Sequence, residues 1–284
     1  MLYCAIEPTS PLLWGSNVLE LLYEFASRGL PILFGPMVQA GASGPATLAG
    51  TLALENAEIL GAITLAQILH PGLPVMYWGI PHLIDQKTCF MRFASPEVVL
   101  MGMAMAQIAR YYNIPSVINL GMTDSNCGDA QFGVEAGMVI LGILAGADLY
   151  GHLGIVGQDQ GSSLEQLVIH DEIIRYLLRI VRGIEVNDET LALDVIEKVG
   201  IGGTFLKERH TLKYIRSEYW FPELFNIGSW DSWYKKGAKD VLKLAAEKVE
   251  EILRSHQPEP LDKDVEKQIN EIVYEADRTI LRKI

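Results

Sequence analysis

The feature that most constrains this chain is an alternation of short, almost continuously apolar runs with longer stretches of helical character. The runs are Leu2–Ile6, Pro31–Phe34, Pro74–Trp78, Pro115–Leu120 and Ala147–Ile155. A strand covered on one side alternates apolar with polar residues, whereas one buried on both faces of a parallel sheet does not. Each run closes on Gly, Pro or polar residues, as in EPTS, GIPHLID and GMTDSNCGD. Helix starts are readable between them. Ser95-Pro96-Glu97 supplies an N-cap, a proline at the first helical position and an acid in the first turn. Ser162-x-x-Glu165 reads as a capping box, and Pro45 opens a long apolar stretch rich in small residues. Recurring βα units predict a parallel sheet with helices outside. Five units are clear, enough for a doubly wound sheet but short of the eight strands of a closed (β/α)8 barrel.

Residues 1–184 hold these units, and residues 185–284 are more charged and mostly helical, with amphipathic patterns over 238–255 and 264–284. Of the 284 residues 49% are apolar and 20% charged, which excludes a disordered chain. A formal charge of −12 repels an anionic phosphate backbone, so nucleic acid is not an expected partner. Cys4, Cys89 and Cys127 lie far apart without metal-ligand spacing, which predicts neither a disulfide framework nor a zinc site and fits a reducing cytoplasm. The N-terminus carries Glu7 and no basic stretch, unlike a signal peptide. The longest apolar run, Met138–Ala147, is well below the ~20 residues that cross a bilayer, so no membrane association is expected.

In parallel α/β folds the chemistry sits at the C-terminal ends of the strands, where loops and helix N-termini converge. That rule selects five clusters. They carry Glu7, Trp14 and Asn17; Gln39 and Ser43; Tyr77, Trp78, His82 and Asp85; Asn119, Thr123, Asp124, Asp129, Gln131 and Glu135; and Tyr150, His152 and Gln158. Each has a plain structural alternative. Tyr77 and Trp78 at a strand end more often serve core-edge packing than a ligand cage, and the DSNCGD loop serves equally as a turn with a helix cap. His152 follows a buried strand, where a lone histidine is usually a hydrogen-bonded structural residue. His70 suits a helix C-terminus, His170 carries no functional signal, and Glu55 with Glu58 reads as a solvated or capping pair. A P-loop, a Rossmann glycine fingerprint, HExxH and GxSxG are all missing.

The ordered blocks LENAEILGAITLAQILHPGLPVMY, SPEVVLMGMAMAQIARYYNIPS, GMTDSNCGDAQFGVEAG, LAGADLYGHLG and GGTFLKERHTLKYIRSEYWFPELF resemble the trimethylamine methyltransferase superfamily across essentially the whole chain. The resemblance implies a TIM-barrel-type (β/α)8 fold that is incomplete in this chain, which would hold about the last five βα units and the C-terminal helices. It implies a methylated amine at the mouth and a separate corrinoid protein whose cobalt(I) takes the methyl group, with no corrinoid held tightly by this chain. Relatives that demethylate trimethylamine carry pyrrolysine. Ordinary residues stand in the expected region, Gly121–Gln131, which implies the non-pyrrolysine branch and a quaternary amine such as glycine betaine. A quaternary ammonium calls for aromatic faces and nearby acids. Trp14, Tyr77, Trp78, Phe132 and Tyr150 are the aromatic candidates, with Thr123 and Gln131 beside them. Asp124, Glu135 and His152 are the candidate catalytic residues, with His152 first and Arg92 second as donors to a betaine carboxylate. Family members are longer at the N-terminus, so the chain is expected to form homo-oligomers or to pair with a missing N-terminal half. A truncated, non-catalytic subunit that associates with a partner is the alternative function, and an unrelated small-molecule enzyme such as a lyase is a third.

Overall fold

A computed structural model describes residues 2–281. Its centre is a five-stranded sheet of β1 (Cys4–Ile6), β2 (Ile32–Phe34), β3 (Val75–Gly79), β4 (Ser116–Ile118) and β5 (Leu149–Tyr150). All neighbours are parallel and follow chain order, with Cys4 opposite Ile32, Phe34 opposite Tyr77, Trp78 opposite Val117 and Ile118 opposite Tyr150. The order has no switch point, so this is not the doubly wound arrangement, and crossovers of one hand place the helices on one face. No closed barrel forms among the described residues: β1 and β5 are open edges.

The helices are α1 (Ser16–Ala26), α2 (Leu48–Leu69), α3 (Pro96–Tyr112), α4 (Ala130–Gly137), α5 (Val139–Ala145) and α6 (Leu164–Arg182). α3 starts at Pro96 behind Ser95 as the sequence predicts, and it stops where Asn113 turns left-handed at φ 56°. The cap of α6 is Ser163 rather than Ser162. The Ser163 hydroxyl accepts from the Gln166 N–H at 3.1 Å and donates to Glu165 at 2.6 Å. The fifth apolar run also divides. Only Leu149–Tyr150 joins the sheet, while Ile155–Val156 pairs antiparallel with Gly161–Ser162.

Alternation along the strands separates two cores. Ile6, Ile32, Phe34, Tyr77 and Ile118 face the helices and pack with Ile59, Ala62 and Met105. Leu33, Trp78 and Val117 face the other way and pack with Ile80, Phe93 and Met122. This inner face is covered only at its middle: Leu33 and Val117 are buried, whereas Leu149 on the edge strand is 46% exposed. Short strands Gln39–Ala40, His82–Ile84 and Met91–Arg92 form a second sheet just past the ends of β2 and β3.

Among the described residues α2 is the one helix long and apolar enough to cross a membrane by length and composition. Its sheet-facing side carries Glu55 and Glu58, both fully buried, which corrects their reading as solvated residues. Glu55 accepts the N–H groups of Val38 at 3.1 Å and Ile80 at 2.9 Å. Gly79 makes room for it, since a Cβ there would lie 2.5 Å from the carboxylate. Glu58 accepts from Ser10 Oγ at 2.8 Å and the Leu12 N–H at 2.6 Å. Both acids therefore brace loops at strand ends.

The chain divides into two compact units, residues 1–248 and 249–284, so the stretch grouped from residue 185 onward is shared between them. In the first unit the helices Asp188–Leu191, Leu193–Val199, Arg209–Glu218 and Trp230–Lys235 contain no buried residue. Glu172 of α6 anchors the segment beyond them, one carboxylate oxygen accepting the N–H groups of Glu223, Leu224 and Phe225 at 2.9, 3.0 and 3.2 Å. The second unit holds the end of the helix Val241–Ser255 and the helix Lys263–Leu281.

Candidate active site

The loops after β3, β4 and β5 meet at one end of the sheet, so Asp124 and His152 lie at the same end, past neighbouring strands. A cavity of about 660 Å³ opens there between the 85–96 loop and one face of α4. Arg92, Asp124, Gln131 and Glu135 line it together with Asp85 and Gln158. Four of the candidates are thus brought together.

Their acids are already engaged. Asp124 accepts the backbone N–H groups of Phe93 at 3.1 Å and Ala94 at 3.4 Å, tying the 85–96 loop to the end of β4. Glu135 takes the Thr123 hydroxyl and the Asp124 N–H on one oxygen, and the Gln131 amide at 2.7 Å on the other. Thr123 Oγ1 also lies 2.9 Å from Ser125 Oγ. Asp85 accepts the N–H groups of Lys87 and Thr88, and these bonds hold its carboxyl below the ordinary value.

The aromatic candidates do not form one cage. Consecutive strand residues point to opposite faces, and only Trp78 points inward. Tyr77 faces the helices, its hydroxyl donating to Asn56 at 2.8 Å. Burial, then the Glu55 charge, raises its pKa well above the ordinary value. Phe132 is buried in the helix-side core, edge-on to His170 with centroids 4.8 Å apart. Trp14 packs edge-on against Phe34, and Tyr150 packs on the same side, its pKa pushed up to about 12 by burial and then by Asp148.

Trp78 and His152 are brought together on the inner face. Their rings stack with centroids 6.2 Å apart and planes 23° from parallel. Gly35 is what admits the indole, since a Cβ at that position would sit 2.1 Å from the ring. Asn119 lies on the same face and touches Gly151, whose Cβ would meet its side-chain oxygen at 2.2 Å. Burial lowers the His152 pKa, and the nearby Asp159 carboxylate partly offsets this. His152, Gln158 and Asp159 all have positive φ, at 63°, 57° and 66°, a conformation that side chains with a Cβ seldom adopt. The loop is held there by the Gly157 N–H to Ser125 O and the Gln158 N–H to Thr123 O.

Two further histidines shape this end of the sheet: His170, in which the sequence shows no functional signal, and His82, one of the strand-end candidates. His170 Nδ1 accepts the Gly154 N–H at 3.0 Å, which fixes the base of the 152–160 loop and puts the ring proton on Nε2. Burial pushes its pKa down to about 4. His82 is fully buried, donates from Nδ1 to Ile80 O at 2.8 Å and stacks on Phe93 at 5.1 Å. The spacing of His170 on the buried face of α6 was the available signal for the first. The second lies in the strand-end cluster that the sequence already singles out.

The sequence model of the family described as trimethylamine methyltransferase matches residues 1–280. The chain belongs to the trimethylamine methyltransferase family. A glycine betaine methyltransferase of Desulfitobacterium hafniense is 34% identical over 282 residues, covering 99% of this chain and 59% of that protein. A trimethylamine methyltransferase of Methanosarcina mazei is 38% identical over 282 residues, covering 98% of this chain and 56% of the relative. Another from D. hafniense is 36% identical over 275 residues, covering 96% and 55%. The chain therefore spans a little over half the length of the curated relatives it matches.

Proposed function

We propose that this member of the trimethylamine methyltransferase family moves a methyl group from a quaternary or tertiary methylamine, such as glycine betaine, to a corrinoid carried by a separate protein in the cytoplasm. The observation that carries the reading is the family match along residues 1–280, reinforced by relatives named for trimethylamine and for glycine betaine. Cobalt(I) of the corrinoid would supply the nucleophile that receives the methyl group.

This chain's own residues would bind and orient the amine. As the methyl leaves, the electron pair of its carbon–nitrogen bond stays on nitrogen, and a quaternary amine departs neutral, without protonation. The site then needs a desolvated aromatic face and negative charge around the cation. Trp78 offers the face, and His152 beside it offers a donor to a carboxylate tail. The hydrogen bonds of Asp124 and Glu135 assign them to holding the loops around the cavity. Arg92, the second candidate donor, lines the cavity, whose walls include neither Trp78 nor His152.

We further infer that the five strands form one side of a (β/α)8 barrel. Their sequential order, their open edges and the fractional coverage of the relatives support this. The remaining strands would come from an N-terminal half or from a second copy of this chain. The test of the activity is to mix the chain with a corrinoid protein in the cobalt(I) state and a panel of methylated amines. Loss of the cobalt(I) absorbance with release of an amine one methyl poorer is expected. No loss with any amine, in the presence of a supplied N-terminal half, would overturn the reading.

A further inference from the structure

The only two charged residues of α2, Glu55 and Glu58, both lie on its buried side. A carboxylate taken out of water is costly unless its oxygens are paired. Glu55 pairs one with the N–H of Val38, which follows Gly35 out of β2, and the other with the N–H of Ile80, which follows Trp78 out of β3. The same two segments are laced together by the Ile80 N–H to Pro36 O at 3.0 Å and the His82 N–H to Val38 O at 3.1 Å. Gly35 is the residue on which the indole of Trp78 lies. One side chain from the helix side of the sheet therefore holds both the backbone that carries the ring and the backbone beneath it.

The ring has no polar anchor of its own. Trp78 is buried, and its indole N–H has no hydrogen-bond partner among the described residues. Its place beside His152 follows from packing with Leu33, Ile80 and Val117 and from the backbone on either side. A carboxylate accepts at both oxygens, whereas a glutamine would turn its NH2 group toward one of the two N–H donors. Burial raises the Glu55 pKa well above the ordinary value; the Val38 N–H opposes this, the Glu58 charge adds to it and the Ile80 N–H opposes it. Tyr77 of β3, which the Glu55 charge affects, and Tyr112 of α3 are the other titratable groups on this side.

We propose that Glu55 is a positioning residue: acting from behind the sheet through the Val38 and Ile80 N–H groups, it sets where the Trp78 indole lies against His152. The consequence for amine binding rests on the methylamine reading. The placement of the ring is a property of the free chain and is measured without any ligand.

Glu55→Gln and Glu55→Asp are compared by NMR with the unmodified 284-residue chain, free of ligand. The readouts are the indole N–H signal of Trp78, assigned by its loss in Trp78→Phe, and its through-space contact with the His152 ring. Glutamine keeps the length and loses one acceptor; aspartate keeps both oxygens and falls one methylene short. Each should shift the indole signal and weaken the contact with His152. Tyr77→Phe, which removes a buried hydrogen bond at the neighbouring residue, should lower stability and leave both readouts unchanged. In calorimetry Glu55→Gln should bind glycine betaine about fivefold more weakly, within the roughly tenfold loss of Trp78→Ala. Added to Trp78→Ala, it should cost less than about twofold more, since both changes act through one ring. An indole signal unmoved in either variant, or the same fivefold loss repeated in the Trp78→Ala background, refutes the positioning role. If the unmodified chain does not bind glycine betaine, the methylamine reading is what fails, and the ligand-free signals still decide the role of Glu55.

Discussion

Tyr77 and Trp78 are chemical neighbours with opposite surroundings, and the difference can be measured. Tyr77→Phe removes a buried hydroxyl that donates to Asn56, and should cost about 1 kcal/mol in denaturant unfolding while leaving amine affinity unchanged. Trp78→Ala removes the inner-face ring and should weaken a bound ammonium by roughly tenfold in calorimetry, since a desolvated cation–π contact is worth about 1–2 kcal/mol. If Tyr77→Phe were the more harmful to binding, the assignment of faces would be reversed. His152→Ala should harm glycine betaine more than choline, which has no carboxylate. An equal loss for both would make His152 a structural prop for the indole. The sequence contained enough to separate the two aromatics: a period of two sends adjacent residues to opposite faces. Proximity along the chain hid that rule.

At the scale of elements, the 152–160 loop is a strained piece fastened from behind by α6. His170 can hold the Gly154 N–H only while its Nδ1 is unprotonated. Its folded pKa of about 4 lies below the ordinary 6.5, so the unfolded chain takes up a proton first as pH falls. Stability from this group is complete above about pH 6.5, declines as pH drops toward 4, and levels off below; the span is about 3 kcal/mol. His170→Gln, whose amide oxygen can accept the same N–H, should flatten that part of the stability profile in unfolding experiments at pH 7 and pH 4.5. An unchanged profile would place the acid sensitivity elsewhere. The strands, by contrast, were largely legible, because four of the five apolar runs are what a doubly covered strand requires. The fifth, Ala147–Ile155, misled because its polar interruptions at Asp148, Gly151 and His152 are where the chain leaves the sheet. The one-residue error at the α6 cap has a similar origin, since Ser162 and Ser163 are chemically alike and only backbone geometry chooses between them. Glu55 was out of reach: a carboxylate is buried there because Val38 and Ile80, from two other segments, point their N–H groups at it.

For the whole molecule the open edges matter most. β1 and β5 each present one unpaired side, and Leu149 leaves apolar surface on the inner face at the edge. Exposed edges of this kind recruit strands from other chains. Light scattering should therefore give a mass above that of the 31.5 kDa monomer, or a shift to a defined complex when an N-terminal half from a relative is supplied. A compact monomer that ignores the added half would show that the edges are satisfied in some other way.

Sequential strand order also shapes how the molecule comes apart. Every strand pairs only with the ones before and after it in the chain, so no pairing waits on a distant segment, and the sheet behaves like a short stack of repeats. Such a stack loses its end units before its middle. Native-state hydrogen exchange should grade outward from β3. The Tyr77 amide, which donates to Pro115 O at 2.8 Å, should exchange only with global unfolding. The Cys4 and Gly151 amides, each bonded at 3.0 Å across the outermost pairings, should open earlier and independently of one another. Since Glu7 and His152 follow those same two strands, fraying at either end would loosen the loops that carry them while the centre of the sheet stayed folded.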